Sequence, residues 1–316
     1  MRCSNRCSSS RVGTTNGQLS MAARNLKIGH HLVAFLDILG QRDRFRDLQV
    51  PKNAEEEAQV KYVLQQTAGF VLDLRAEFHR QFEVFEKGVG MGAHANVRPN
   101  FVGFSDSFVT SVPLRNDGGD LVPVVTVFSA LSAAAIVMLT SLASKHPLRG
   151  GIDVGLATEI GPEEINGTAL ERAYVLESKI AQYPRIVIGD ELWNYLSSVL
   201  VEFGKRDTPV AKSITAITQR TMGLTATDTD GKRILDYLGS TVVQHSIPGH
   251  GEHMVWPAYE FVLAEQERIV AGGNSELIVR YALFRGYFES RISLWNIPVT
   301  KSYPTPPGSM TGVSNS

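Results

Sequence analysis

Two aspartates in apolar, strand-like segments are the side chains of this chain that most directly indicate chemistry. Asp37 lies in VAFLDILG (residues 33–40), and Asp106 lies in FVGFSDSFV (residues 101–109). Burying an unpaired carboxylate among apolar side chains is unfavourable, and a cation shared by two carboxylates removes that penalty. Carboxylate oxygens are the ligands that Mg²⁺ prefers in proteins. The two segments therefore predict a Mg²⁺ or Mn²⁺ site that holds a nucleoside triphosphate.

Each aspartate also has a simpler explanation when it is considered alone. Asp37 could cap the turn that follows its strand, and Asp106 could be an ordinary residue of a hairpin turn. The metal site is favoured because the elements around the two aspartates can bring them together.

The order of the predicted elements gives the fold class. The first half of the chain predicts strand 31–39, helix 54–86, hairpin 100–104 and 107–112, helix 121–143 and strand 148–156. This β-α-β-β-α-β order is typical of the ferredoxin-like (split βαβ) α+β fold, with helices packed on one face of the sheet. In that topology the first strand and the hairpin are neighbours. Asp37 and Asp106 can therefore approach each other at one edge of the sheet.

The remaining segments complete the organisation of the chain. They predict helix 168–181, strand 185–189, helix 191–200, a hairpin turn at 228–231 before strand 234–238, and helices over 257–295 with a break at Gly272-Gly273. Residues 1–28 and 303–316 predict disordered tails. Between them we expect a main domain over residues 29–240 and a C-terminal helical extension over residues 241–302.

Composition excludes several classes of protein. The chain has 316 residues, a formal net charge of -1 and 43% hydrophobic residues, so it has no basic field for nucleic acid. Its only cysteines, Cys3 and Cys7, exclude a disulfide framework and favour the cytoplasm. Residues 121–144 carry no charge over a length that could span a membrane. Ser, Thr, Ala and Pro123 dilute that segment, which predicts a buried or dimer-facing helix and no membrane contact.

Four motifs in this order resemble the class III nucleotidyl cyclases. Residues 35–40 (FLDILG) match the first strand of these cyclases, F-x-D-I-x-G, and Ser105-Asp106 matches the end of their hairpin strand. Residues 149–155 (RGGIDVG) are similar to their R-x-G-I-x-x-G strand. Residues 167–177 (GTALERAYVLE), followed by Ala181, Tyr183, Pro184 and Arg185, resemble most closely the bacterial pyrimidine cyclases of Pycsar anti-phage systems. The resemblance covers residues 32–238.

The resemblance implies a homodimer with two composite active sites. One protomer would supply Asp37, the backbone carbonyl of Ile38 and Asp106 for two metal ions, and the other would supply the helix after Gly167. The implied reaction is attack of the ribose 3′-hydroxyl on the α-phosphorus, with pyrophosphate leaving. The product would be cyclic UMP or cyclic CMP, a signal for a separate effector in anti-phage defence.

Residues near the two aspartates are candidates for phosphate and base contacts. Gly40 would let the chain turn so that following amides reach phosphates, although any strand-to-helix turn explains a glycine. Purine cyclases carry a base-reading lysine where Val102 stands, so a pyrimidine base is favoured, with UTP preferred to CTP. Asn100 is a candidate to read that base, or a simple polar strand residue.

The helix after Gly167 carries the other predicted substrate contacts, Glu171, Arg172, Tyr174 and Lys179. Purine cyclases place an asparagine where Glu171 stands and a transition-state arginine where Val175 stands. Since valine cannot take that role, Arg172, Lys179 and Arg185 are the candidates to stabilise the phosphate charge. The alternative is a helix with an ordinary solvated face.

Two further points stay open from the sequence. Arg149 either neutralises phosphate or braces Asp153 nearby. The function itself has two rivals, a purine cyclase with rearranged base contacts and a catalytically silent nucleotide-binding module.

Overall fold

The computed structural model describes residues 28–40, 45–46, 48–88, 99–104, 107–114, 124–161, 164–245 and 250–295. The predicted tails lie outside these residues, except for Ile28, which begins the first strand. Asp106 also lies outside them.

One mixed sheet organises the chain. Its strands are β1 (Ile28–Ile38), β2 (Asn100–Phe104), β3 (Ser107–Pro113), β4 (Leu148–Gly161), β5 (Glu164–Gly167), β6 (Ile186–Ile188), β7 (Thr225–Thr227) and β8 (Arg233–Leu235). The strand order is β2-β3-β1-β4-β6-β8-β7, with β5 paired to β4. β1 is antiparallel to both β3 and β4, and β6 is parallel to β4. The β2-β3-β1-β4 part is the split βαβ arrangement, which confirms the predicted fold class.

The helices are α1 (Ala54–Gly88), α2 (Val124–Ala143), α3 (Thr168–Val175), α4 (Asp190–Phe203), α5 (Pro209–Met222), α6 (Ser240–His245), α7 (His250–Gly272) and α8 (Ser275–Glu289). The break at Gly272-Gly273 is confirmed, and Gly273 adopts φ +71 there, a conformation that favours glycine. β5 and α5 were not predicted from the sequence.

β1 is buried on both faces, as its continuous apolar sequence predicts. Its even-numbered residues, such as Leu32 and Leu36, belong to the main core, which contains α1, α2, α7 and α8. Its odd-numbered residues face the other side, where Val33 joins a smaller cluster with Ala169 and Ala173 of α3. Helices thus cover both faces. We expected all helices to pack on one face of the sheet. α1 and α2 share one face, but α3 packs on the opposite one, so this expectation is wrong for α3.

The spacing of Leu64, Phe70, Val71, Leu74 and Phe78 in the sequence predicts an apolar stripe on α1, and the stripe that contacts the core differs from it in part. The buried residues are Thr67, Val71, Leu74, Phe78 and Phe82. Leu64, predicted as part of this stripe, is 48% exposed because the first turns of α1 extend beyond the core. Helical periodicity indicates which residues share a face, and it does not indicate where the neighbouring element ends.

α2 is a core helix, which confirms the prediction of a buried helix. Among the described residues it is the one helix long and apolar enough to cross a membrane, and nearly all of it is buried. It packs against α1, α5 and α7, which explains why its sequence is apolar on every side. The C-terminal helices α7 and α8 therefore complete the core rather than form a separate layer.

A buried arginine connects β6 to the β7–β8 hairpin. The hairpin turn at 228–231 is confirmed, with Gly231 at φ +78. Arg185 is 3% exposed; its Nη1 donates to Asp228 Oδ2 at 2.6 Å, and its Nη2 donates to Asp230 Oδ2 at 2.7 Å. Nη2 also donates to the carbonyl of Ile180 at 2.8 Å. With these contacts Arg185 acts as a structural cation.

We expect Arg185→Met to lower the free energy of unfolding by about 3–5 kcal/mol, because it leaves the buried carboxylate of Asp228 without its cation. Arg206→Met is the matched control, since Arg206 pairs with Glu202 on an exposed helix surface. The control should change stability by at most about 1 kcal/mol. Urea denaturation of both variants measures the difference, and equal losses would contradict a structural role for Arg185.

The protonation of His31 should make the protein less stable as the pH is lowered. His31 is buried, and its Nδ1 lies 2.9 Å from Ser111 Oγ. Burial lowers the pKa of His31 below its ordinary value of 6.5. As the pH falls through about 6.5, His31 takes up a proton in the unfolded chain and stays neutral in the folded one. The free energy of unfolding therefore decreases. Urea denaturation between pH 7 and pH 5 measures this decrease in the free energy of unfolding. The decrease should be smaller for His31→Gln than for the wild type, and it should equal the wild-type decrease for His253→Gln, which changes an exposed histidine.

Candidate active site

Asp37 lies at the end of β1, between the strands that the sequence predicts around it. It pairs with Ser107 of β3 on one side and with Arg149 of β4 on the other. Its side chain is 20% exposed, so solvent reaches the carboxylate. β2 ends at Phe104 and β3 begins at Ser107, and the two residues between them, Ser105 and Asp106, lie outside the described residues. The approach of Asp106 to Asp37 therefore stays a prediction.

The backbone of β1 presents a carbonyl at the same place. Leu39 donates its N–H to the carbonyl of Pro147 at 2.8 Å, and Leu114 donates to the carbonyl of His30 at 2.8 Å. In antiparallel pairs the bonding direction alternates from residue to residue, so odd-numbered residues of β1 bond towards β4 and even-numbered ones towards β3. The carbonyl of Ile38 accordingly faces the β3 side. A carboxylate and a carbonyl are hard oxygen donors, and this pair fits a divalent cation such as Mg²⁺.

Arg149 joins Asp37 to a buried glutamate. Its Nη2 lies 3.3 Å from Asp37 Oδ2, and its Nε lies 2.5 Å from Glu177 Oε1. Glu177 is only 3% exposed, whereas the side chain of Arg149 is 30% exposed. The sequence did not single out Glu177. Its position four residues after Ala173, which is itself four after Ala169, was the signal that could have placed it on the buried side of the helix.

Arg149 does not brace Asp153, and that expectation is wrong. Asp153 Oδ1 accepts hydrogen bonds from the N–H groups of Val154 at 2.9 Å and Leu192 at 2.8 Å. The carboxylate of Asp153 thus caps the first turn of α4 from a neighbouring strand. Burial raises the pKa of Asp153 above its ordinary value, against the effect of these two backbone bonds.

A glycine in β4 lets α3 approach closely enough to bury Glu177. A Cβ at Gly151 would lie 2.3 Å from the carbonyl oxygen of Ala173 and 2.5 Å from Cβ of Leu176. Directly after α3 the chain forms a π-helical turn (Leu176–Ile180), closed by the N–H of Ala181 donating to the carbonyl of Leu176 at 2.8 Å. π-turns of this kind are often found at functional sites.

Of the substrate contacts predicted on α3 and its π-turn, Tyr174 lies closest in the fold to the strand that carries Asp37. The ring of Tyr174 packs edge-on against Phe35, two residues before Asp37, with 5.4 Å between ring centroids. Arg172 donates from Nη1 to the carbonyl of Val154 at 3.0 Å. Tyr174, Arg172, Glu171 and Lys179 are all exposed. What these residues contribute to a partner protomer stays a prediction.

The structure supports the predicted role of Gly40 in a turn, and it places Asn100 away from Asp37. Gly40 adopts φ +84 two residues after the end of β1, which confirms the tight turn, and residues 41–44 after it lie outside the described part of the chain. Asn100 pairs with Ser111 and lies four positions along β2 from Phe104, about 13 Å from the Asp37 end of the sheet. The structure therefore does not bring Asn100 and Asp37 together within one chain. Arg185 is held by Asp228 and Asp230 and does not reach this end either.

Comparison with known proteins gives only distant similarity. No family model matches the chain, and neither does any curated protein. One similar solved structure is a bacterial light-regulated adenylyl cyclase, 12% identical, with a TM-score of 0.34 over 54% of this chain and 46% of that one. Another is a class III adenylyl cyclase-like ATP-binding protein from Pseudomonas aeruginosa, 14% identical, with a TM-score of 0.35 over 62% of this chain and 40% of that one. The chain thus spans less than half the length of either.

We expect Gly151→Ala to lower the free energy of unfolding by about 1–3 kcal/mol, because the added methyl group overlaps the backbone of α3. Gly69→Ala is the matched control, since nothing lies within 4 Å of a Cβ at that position in α1. The control should be neutral or stabilising by up to about 1 kcal/mol. Urea denaturation compares the two variants, and an unchanged Gly151→Ala protein would contradict the close contact.

Proposed function

We propose that this chain is a metal-dependent pyrimidine nucleotide cyclase that converts UTP, or CTP, into the 3′,5′-cyclic monophosphate and pyrophosphate. The observation that carries the proposal is the pairing of Asp37 with Ser107, the residue that follows Asp106, at the end of a split βαβ sheet. This register brings the start of β3, directly after Asp106, beside the end of β1 that carries Asp37, and so supports our proposal that both aspartates contribute to one site. The motif order at residues 35–40, 105–106, 149–155 and 167–177 supports the reaction class.

The proposed metal site consists of Asp37, Asp106 and the carbonyl of Ile38, with two Mg²⁺ or Mn²⁺ ions as the expected cofactors. When bound, such ions lower the pKa of the 3′-hydroxyl and neutralise charge on the phosphates. The protein positions these groups, and in phosphoryl transfer positioning and charge neutralisation supply most of the catalysis. We expect the turn at Gly40, where φ is +84, to let the backbone amides that follow reach the triphosphate.

Substrate recognition would come from α3, its π-turn and β2. The exposed side chains of Glu171, Arg172, Tyr174 and Lys179 are available to the substrate of a partner protomer in a homodimer. With Arg185 buried in its own ion pairs, Arg172 and Lys179 remain the candidates to stabilise phosphate charge. Val102 stands where purine cyclases carry a base-reading lysine, and the absence of that lysine supports the choice of a pyrimidine base.

The biological setting is part of the same proposal and rests on the resemblance alone. A cytoplasmic cyclase of the Pycsar type would make cyclic UMP as an alarm signal in anti-phage defence. A separate protein would respond to that signal, since the resemblance covers only the cyclase.

A catalytically silent nucleotide-binding module is the second candidate. It is favoured by one observation: Val175, at the position of the transition-state arginine of purine cyclases, is an exposed apolar side chain. In this case the protein would bind a nucleoside triphosphate without releasing pyrophosphate.

The test is to incubate the purified protein with ATP, GTP, CTP or UTP and Mn²⁺ or Mg²⁺, and to identify the products by mass spectrometry. We expect cyclic UMP or cyclic CMP with pyrophosphate. Asp37→Asn and Asp106→Asn should each lower turnover at least about a hundredfold, because each removes the negative charge of a metal ligand.

Asp207→Asn is the matched control, since Asp207 is an exposed aspartate paired with Lys212 far along the chain. It should keep full turnover. A cyclic purine product would overturn the choice of base, and binding without any product would favour the silent module. Full activity of the Asp37→Asn protein would rule out the proposed site.

A further inference from the structure

We propose that Arg75 and the backbone N–H of Gly103 form a binding site for a phosphate group at the outer edge of the sheet. Arg75 lies on α1, and Gly103 lies on β2, which is the first strand in the order of the described sheet. The inference goes beyond the proposed function, because these two residues are separate from the residues around Asp37 and bind the phosphate without a metal ion.

The side chain of Arg75 covers the position where a side chain of residue 103 would begin. A Cβ at Gly103 would lie 2.1 Å from Nη2, 2.8 Å from Cζ and 2.8 Å from Nη1 of Arg75. Phe78, one turn after Arg75, packs edge-on against Phe101 of β2, with 5.7 Å between ring centroids, and holds α1 over the strand. The glycine is therefore required for the guanidinium to lie directly on the backbone of β2.

The charge of Arg75 is not balanced by the part of the chain that the structure describes. No hydrogen bond or ion pair joins Arg75 to those residues, and its Nε is buried without an acceptor. Arg149 and Arg185, which also lie partly or fully buried at the sheet, both have carboxylates beside them. A buried donor without an acceptor is unfavourable, and an anion that supplies the acceptors removes that penalty.

The backbone of Gly103 adds a second donor, because its N–H faces away from β3. Leu114, directly after β3, donates its N–H to the carbonyl of His30 in β1. Even-numbered residues of β3 thus bond towards β1, and odd-numbered ones bond towards β2. These odd-numbered residues pair with even-numbered residues of β2, as Ser111 does with Asn100. The odd-numbered residues of β2, including Gly103, therefore direct their N–H and carbonyl groups to the outer edge.

The two donors suit a phosphate group. A guanidinium presents its N–H groups as a planar fork that matches two oxygens of a phosphate, and the N–H of Gly103 can donate to a third. Gly103 is exposed, so a ligand reaches it from solvent. Such a group could belong to the nucleoside triphosphate of the proposed reaction or to a separate phosphorylated ligand.

The test measures binding of inorganic pyrophosphate by isothermal titration calorimetry in the presence of EDTA, so that no metal ion contributes. We expect Arg75→Met to weaken binding at least about tenfold, because it removes the charged donor. Arg75→Lys keeps the charge without the planar fork and should also bind more weakly than the wild type. Gly103→Ala keeps the arginine but displaces its guanidinium, and it should weaken binding by a similar factor.

The matched control is Arg80→Met, which removes the same charge from the same helix. Arg80 is 67% exposed and donates from Nε to Glu77 Oε2 at 3.1 Å. This variant should bind pyrophosphate like the wild type. Equal weakening by Arg75→Met and Arg80→Met would indicate a general effect of net charge and overturn the inference. Absence of binding by the wild type, or unchanged binding by Arg75→Met, would overturn it as well.

The source of the phosphate group is identified by kinetics and by Asp37→Asn. If the group belongs to the substrate, Arg75→Met should raise KM for the nucleoside triphosphate with little change in kcat. If it belongs to a separate ligand, KM should stay unchanged while pyrophosphate binding is weakened. In both cases Asp37→Asn should still bind pyrophosphate in EDTA, and loss of that binding would contradict a separate site. If the protein binds pyrophosphate through Arg75 but forms no cyclic nucleotide, the proposed function fails and this inference stands.

Discussion

The close approach of α3 to β4 is the constraint on which the arrangement around Asp37 depends. Gly151 has no side chain, so the backbone of α3 lies directly over β4, and the small residues Ala169 and Ala173 fill the contact. This approach buries Glu177, which is stable there only beside a cation. Arg149 provides this cation, and its guanidinium also lies 3.3 Å from the carboxylate of Asp37. A packing requirement in the backbone thus places a buried carboxylate beside Arg149 at the end of β1.

The two faces of the sheet have different tasks. The face under α1 and α2 belongs to a large apolar core that also includes the C-terminal helices, and it holds the strands in place. The opposite face has a small apolar cluster under α3, and the polar groups of Asp37, Arg149 and Glu177 lie on this side. Because β1 contributes alternate residues to both faces, the core fixes the position of Asp37, while its carboxylate on the thinner side stays partly exposed to solvent.

The sequence was informative where a signal is local. The apolar strand β1, the buried helix α2 and the turn before β8 each follow from residues close together in the chain, and the element order then gave the split βαβ fold. Contacts between distant residues could not be read in the same way. The pairing of Arg149 with Glu177, and of Arg185 with Asp228, depends on how α3 and the β7–β8 hairpin lie on β4 and β6. Whether a charged residue is buried or exposed depends on such packing, and composition alone does not determine it.

The enclosure of α2 has a consequence for the order in which the protein can fold. α2 ends at Ala143, whereas α7, which covers part of it, begins only at His250. During synthesis the helix that is apolar on every side is complete long before its last covering helix leaves the ribosome. Until then, the nascent chain exposes a surface that other chains or a membrane could bind. The C-terminal helices therefore cover an apolar surface that would otherwise be exposed. The rate at which they pack onto it limits the time during which the chain can aggregate.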